Sequence, residues 1–206
     1  MATFLARARP QQRIRTAHTG TVGIKAALLY CLLAAGIAAA APAADDASGE
    51  RIEAQVKAAY IYRFAEYIEW PATTIADRTA PWTIGVVAAD RVSAELNQLR
   101  LTRRIGGRAV AVRTMQPGDP VSGIQMLYVG SLDGARLKEV LDAVPAQGVL
   151  SITDGEGALA AGGMISFVQV DRRIRFDVSI AHAERSGLKV SARLLAVAHK
   201  VEGARP

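Results

Sequence analysis

Two cations stand out in the stretch VKAAYIYRFAEYIEWP (residues 56–71). Lys57 and Arg63 sit among five aromatic residues, Tyr60, Tyr62, Phe64, Tyr67 and Trp70, in a chain with only four Phe, two Trp and five Tyr. Cations lining a partly apolar groove can hold an anionic ligand or a partner's carboxylate, because charge set among apolar side chains is poorly screened. The plainer alternative is that both long side chains snorkel out past an apolar face. Elsewhere little chemistry is marked out. His182 and His199 are seventeen residues apart with no cysteine near them, a poor spacing for a metal. No G-x-S-x-G or H-E-x-x-H occurs. GEGALA (155–160) matches a dinucleotide fingerprint in letters only. Gly162 and Gly163 interrupt the helix whose N-terminus would hold the pyrophosphate, so a glycine-rich turn is expected. These absences argue against a hydrolase and give no reason to expect a cofactor or metal.

The cations depend on a helix expected over residues 50–70 and stopped by Pro71. At 100° per residue, Ile52, Val56, Tyr60, Phe64, Tyr67, Ile68 and Ile61 spread over about 180° of its circumference, one broad apolar face. Lys57 and Arg63 intrude on that face. Tyr62 falls on the polar side with Gln55, Glu66 and Glu69, and Trp70 stands half exposed at the helix end. An exposed tyrosine is a favoured interface anchor. Lys57, Tyr62, Arg63, Glu66 and Trp70 are therefore the candidate partner- or ligand-binding residues.

The 206 residues suit one domain, and half of them are hydrophobic, enough for a sizeable core. The net charge of +6 is misplaced for nucleic acid. Arg7, Arg9, Arg13, Arg15 and Lys25 all precede the first acidic residue, Asp45, which leaves 20 basic against 19 acidic residues from Ala44 onward. That basic segment, the apolar run at 26–41 and the small residues Ala41 and Ala43 form the pattern of a secretory signal peptide cleaved after Ala43. The run of 16 residues is short of the roughly 20 needed to span a bilayer. Domains of 1–43 (signal peptide) and 44–206 follow, with 44–49 as a flexible tail. Cleavage would remove Cys31, the only cysteine, leaving no thiol in the exported body.

Strands are expected at 81–90, 109–115, 124–130 and 148–154, with helices at 91–100 and 133–144 between them. Two period-2 runs, 164–170 and 173–180, meet at Asp171-Arg172 as a hairpin, and a helix is expected over 190–201. Alternating strands and helices imply a single three-layer α/β domain. Its sheet is mixed but mostly parallel, flanked by helices, with a C-terminal β-hairpin plus helix.

The opening VKAAYIYRFAEYIEWP and the ending GGMISFVQVDRRIRFDVSIAHAERSGLKVSARLLAVA (162–198), with IGVVAAD and VLSITDG between, resemble the YfiR family of periplasmic proteins over nearly all of residues 50–200. The resemblance implies a non-enzymatic, exported regulator. Founding members look like repressors that bind the periplasmic domain of an inner-membrane diguanylate cyclase, lower cyclic di-GMP and restrain biofilm formation. An outer-membrane lipoprotein can sequester them. Some members carry disulfides that tie the repressor to periplasmic redox state, a control this chain lacks once Cys31 is removed. A second copy of the chain, as a homodimer, is a further candidate partner. The rival reading is a periplasmic binding or sensor protein for a small anion, with Lys57 and Arg63 beside its pocket.

Overall fold

The computed structural model describes residues 42–74, 77 and 79–203, and the compact body begins at Asp46. The expected signal peptide lies almost wholly outside the described residues. The first described element is α1 (Pro42–Glu66), followed by the short strand β1 (Ile68–Glu69). Then come β2 (Trp82–Val87), α2 (Asp90–Leu99), β3 (Val110–Met115), β4 (Met126–Val129), α3 (Gly134–Asp142) and β5 (Leu150–Asp154). The chain ends with β6 (Ile165–Val170), β7 (Arg173–Ser179), α4 (Ile180–Arg185), β8 (Lys189–Val190), α5 (Ala192–Leu195) and β9 (Lys200–Glu202).

Seven strands form one sheet in the order β3-β2-β4-β5-β6-β7-β9. Every pairing is parallel except β6 with β7. From β2 the chain steps outward to β3, then returns past β2 to β4 and continues the other way. The order therefore reverses between β2 and β4. Side chains alternate across the sheet, as the two-residue repeat of a strand requires. Trp82, Ile84, Val86, Tyr128, Ile152, Phe167 and Phe176 face a core shared with α1 and α2. Val87, Leu127 and Val129 face the opposite core, with Leu137, Val140 and Leu141 of α3. Helices on both faces give the three layers that the alternating pattern implies. A mixed, mostly parallel sheet within a single α/β domain is the expected architecture, and β9 adds a seventh strand to the six expected.

The hairpin turn falls where expected. Asp171 and Arg172 both have positive φ (50° and 59°), the geometry that matches the twist of two-residue hairpins. GEGALA lies in turns, not a helix. Its Ala158 is buried in the α3-side core, so this compact loop takes a crossover helix's place between β5 and β6.

Three local expectations need correction. The segment 44–49 is part of α1, because the helix starts at Pro42, and proline is tolerated in a first helical turn. At its other end α1 stops at Glu66, before Pro71. Ile68 pairs with Val190 and Ser191 N–H donates to the Tyr67 carbonyl, so tertiary pairing with β8 draws the chain out of the helix. The expected helix over 190–201 is only the four residues of α5, capped by Ser191. Beyond it His199 N–H donates to the Phe176 carbonyl and β9 joins the open edge of β7. Val197, within that span, is 60% exposed.

The buried face of α1 is also turned from the expected one. Ala54, Ala58, Ile61, Tyr62, Phe64 and Ala65 are buried, whereas Ile52 is 58% exposed and Val56 lies at the surface. This is a rotation of about a third of a turn. The small alanines let the helix approach the sheet closely, a contribution that large apolar residues alone do not reveal.

Candidate functional site

The carboxyl ends of β2, β4 and β5, with the first half of α1 above them, enclose two adjoining clefts of about 460 and 430 Å³ that share Glu53, Lys57, Ser131 and Asp154. The second lies at the reversal of strand order, between Ala88 and Ala89 after β2 and Gly130 and Ser131 after β4. In open α/β sheets this is where diverging loops leave a crevice. The backbone is tight here. Ala88 takes a positive φ of 52°, rare for a residue with a side chain. A Cβ on Gly130 would stand 2.2 Å from the Ala88 carbonyl oxygen. Only glycine allows the two loops to meet this closely.

Lys57 enters the site from α1 and is 6% exposed. Its Nζ lies 2.7 Å from Asp154 Oδ2, at the end of β5, and 2.5 Å from Glu53 Oε1, one turn earlier on α1. Tyr128 of β4 donates its hydroxyl to the same Asp154 oxygen at 2.9 Å. Asp154 Oδ1 has no hydrogen bond among the described residues. Lys57 Nζ also stands 6.0 Å from the centre of the Phe167 ring. Burial pushes the Tyr128 phenol far above its ordinary range, helped by the charge and hydrogen bond of Asp154 and by the charge of Glu53. The phenol therefore stays neutral and serves as a donor. A buried charge pair holds its partners in place rather than adding net stability, so this cluster pins α1 to the sheet's carboxyl end.

The five candidate residues separate. Only Lys57 lines the clefts. Arg63 is exposed, with its guanidinium 6.0 Å from the Tyr67 ring centre, and Glu66 is exposed. Trp70 is half buried, edge-to-face on Trp82 at 4.8 Å. Tyr62 is the correction. It is 4% exposed, not a residue of the polar surface, because α1 is rotated. Its hydroxyl is buried without a hydrogen-bond partner among the described residues. Burial raises its pKa to about 12, with Arg100 and Arg103 pulling the other way.

This gives a test. An unpaired buried hydroxyl costs stability, so Tyr62→Phe is expected to be neutral or to stabilise by about 1 kcal/mol. Tyr62→Ala is expected to cost about 3 kcal/mol. A phenol whose folded pKa is raised favours its neutral form. That contribution is complete below the unfolded pKa of about 10 and fades as pH rises toward 12. Urea midpoints between those pH values should therefore fall less steeply in Tyr62→Phe than in the natural protein. An equal fall would show that Tyr62 is not the group responsible.

Glu53, Tyr128 and Asp154 went unmarked in the sequence. The signals were faint: a glutamate four residues before Lys57, a tyrosine inside an apolar strand and an aspartate at a parallel strand's carboxyl end. Among the described residues the histidines stand elsewhere. His182 Nδ1 is 2.9 Å from the Gly163 carbonyl oxygen, and His199 Nδ1 is 2.9 Å from Asp177 Oδ1. No group of three or more His, Cys, Asp or Glu among the described residues could hold a metal ion. Lys57 is committed to two carboxylates and Arg63 lies outside the clefts, so the expected pairing of these cations around an anion is not formed.

Fold and cleft together define a doubly wound α/β domain with an open, charged crevice at its strand-order reversal. Within that class, the chain belongs to the YfiR/HmsC-like family, a regulatory family, whose model matches residues 54–199. Among curated proteins there is no match. Among solved structures, the chain is similar to the ABC domain in complex with L-Trp from Streptococcus pneumonia. The TM-score is 0.43 at 12% identity, covering 58% of this chain and 55% of that one. It is also similar to a conserved domain protein from Vibrio cholerae O1 biovar eltor, with a TM-score of 0.42 at 15% identity, covering 58% and 54%. The chain thus spans about half the length of these structures, and at such values neither says what it binds. No helix among the described residues is long and apolar enough to cross a membrane.

Proposed function

We propose that this protein is a non-enzymatic periplasmic regulator. It binds the periplasmic domain of an inner-membrane diguanylate cyclase, holds the cyclase inactive and so lowers cyclic di-GMP. An outer-membrane lipoprotein that sequesters it is the proposed antagonist. The observation that carries this reading is the family match across residues 54–199, nearly the whole folded body. The basic, apolar and small-residue segments at 1–43 supply the route to the periplasm. Arg63, Glu66 and Trp70, exposed or half exposed around the end of α1, remain the proposed contact residues.

Deleting the gene in its native host is expected to raise cyclic di-GMP and surface attachment several-fold. The full chain supplied in trans should restore the normal level. A variant lacking residues 1–43, kept inside the cell, should not. Unchanged cyclic di-GMP on deletion, or full rescue by the unexported variant, would remove the periplasmic repressor reading.

A further inference from the structure

We propose that the cleft at the strand-order reversal is a binding site for a small cationic amine. Three observations converge on it. The first is position: it lies outside the carboxyl ends of β2 and β4, where the crevice belongs to the topology itself and not to a chance surface hollow. The second is backbone strain. Ala88, with its positive φ, sits in the cleft wall against Gly130, and strained residues persist where the surroundings over-determine them, often at ligand clamps.

The third is the charge and hydrogen-bonding capacity of the lining. Glu50, Glu53, Asp90 and Asp154 face the cleft against Lys57 and Arg91, and Glu156 lines the adjoining one. Arg91 is spent on Glu50 at 2.6 Å, and Lys57 on Glu53 and Asp154. The remaining charge is negative, and concave walls of one sign focus their field. Both hydrogen bonds of the Asp154 carboxylate fall on Oδ2, and none falls on Oδ1 among the described residues. Tyr128 and Lys57 thereby fix the carboxylate's orientation, a preformed acceptor for an ammonium or guanidinium group. Ala54 and Val92 supply an apolar wall for a short carbon chain. Carboxylates outnumber cations in the lining, and both cations are already paired, so the cleft selects against an anion. The site stands independently of any protein partner.

The test uses purified full-length protein with agmatine and putrescine as probes, and succinate and inorganic phosphate as controls. At saturation at least one amine is expected to raise the melting temperature by about 5 °C, and neither anion should. Glu53→Gln, at a half-exposed position that should tolerate the change, is expected to weaken the amine about tenfold by titration calorimetry. Asp154→Asn should abolish binding. The proposal is overturned if neither amine shifts the melting temperature, if the anions shift it equally, or if Glu53→Gln binds the amine as tightly as the natural protein. Should Asp154→Asn fail to fold, the Glu53→Gln titration decides alone.

Discussion

Lys57→Met is expected to destabilise the protein by about 3 kcal/mol, far more than an exposed lysine would. The substitution keeps an unbranched apolar stem of nearly the same length, so lost packing is the smaller part of the effect. It leaves Asp154 with only the Tyr128 hydroxyl, in a setting where its charge has little water around it. Removing one partner of a buried pair costs more than removing both, since a lone charge is the expensive state. The double variant Lys57→Met/Asp154→Asn should therefore recover at least half of the loss, with the Asn amide oxygen still accepting from Tyr128. Urea midpoints of the two single variants and the double variant decide this. A single-variant loss within about 0.5 kcal/mol would show that water reaches the pair and that it behaves as a surface salt bridge.

Phe64→Ala is expected to cost roughly 3–5 kcal/mol, through lost transfer energy plus the cavity left behind. Phe64 is fully buried and its ring centre lies 5.0 Å from that of Phe176, 5.7 Å from Phe167 and 5.9 Å from Tyr60. Phe167 and Phe176 face each other directly across the β6–β7 hairpin. The four rings thus bind the helix to the only antiparallel pair in the large sheet. At a few degrees per kcal/mol for a body of this size, the melting temperature should fall by about 10 °C. A fall of only a degree or two would mean that the helix can withdraw from the hairpin at little cost.

The aromatic concentration of residues 56–71 is thus mostly structural. Tyr60, Phe64 and Tyr67 belong to or pack against the core, as the helical periodicity indicates. Tyr62 joins them because Ala54, Ala58 and Ala65 turn the helix by their small size. A periodicity argument weighted toward large side chains gives those alanines little voice. The hairpin was legible because its two strands alternate and its turn is local. The terminal strand β9 was not, since Lys200–Glu202 is three residues long, too short to show a strand's alternation. The charge cluster was out of reach for a similar reason. Glu53 and Lys57 are neighbours on one helix, but Asp154 is 97 residues from Lys57 in the chain, and only the order of strands brings them together.

The reading as a repressor rests on contact with a membrane cyclase, and titration calorimetry addresses that contact directly. The exported body, residues 44–206, is titrated into the isolated periplasmic domain of a diguanylate cyclase from the same host. The account predicts saturable one-to-one binding at micromolar affinity or tighter. Glu66→Arg, at the exposed end of α1, should weaken it without changing the melting temperature. Absence of heat or complex formation with any such domain from that host would contradict the repressor reading.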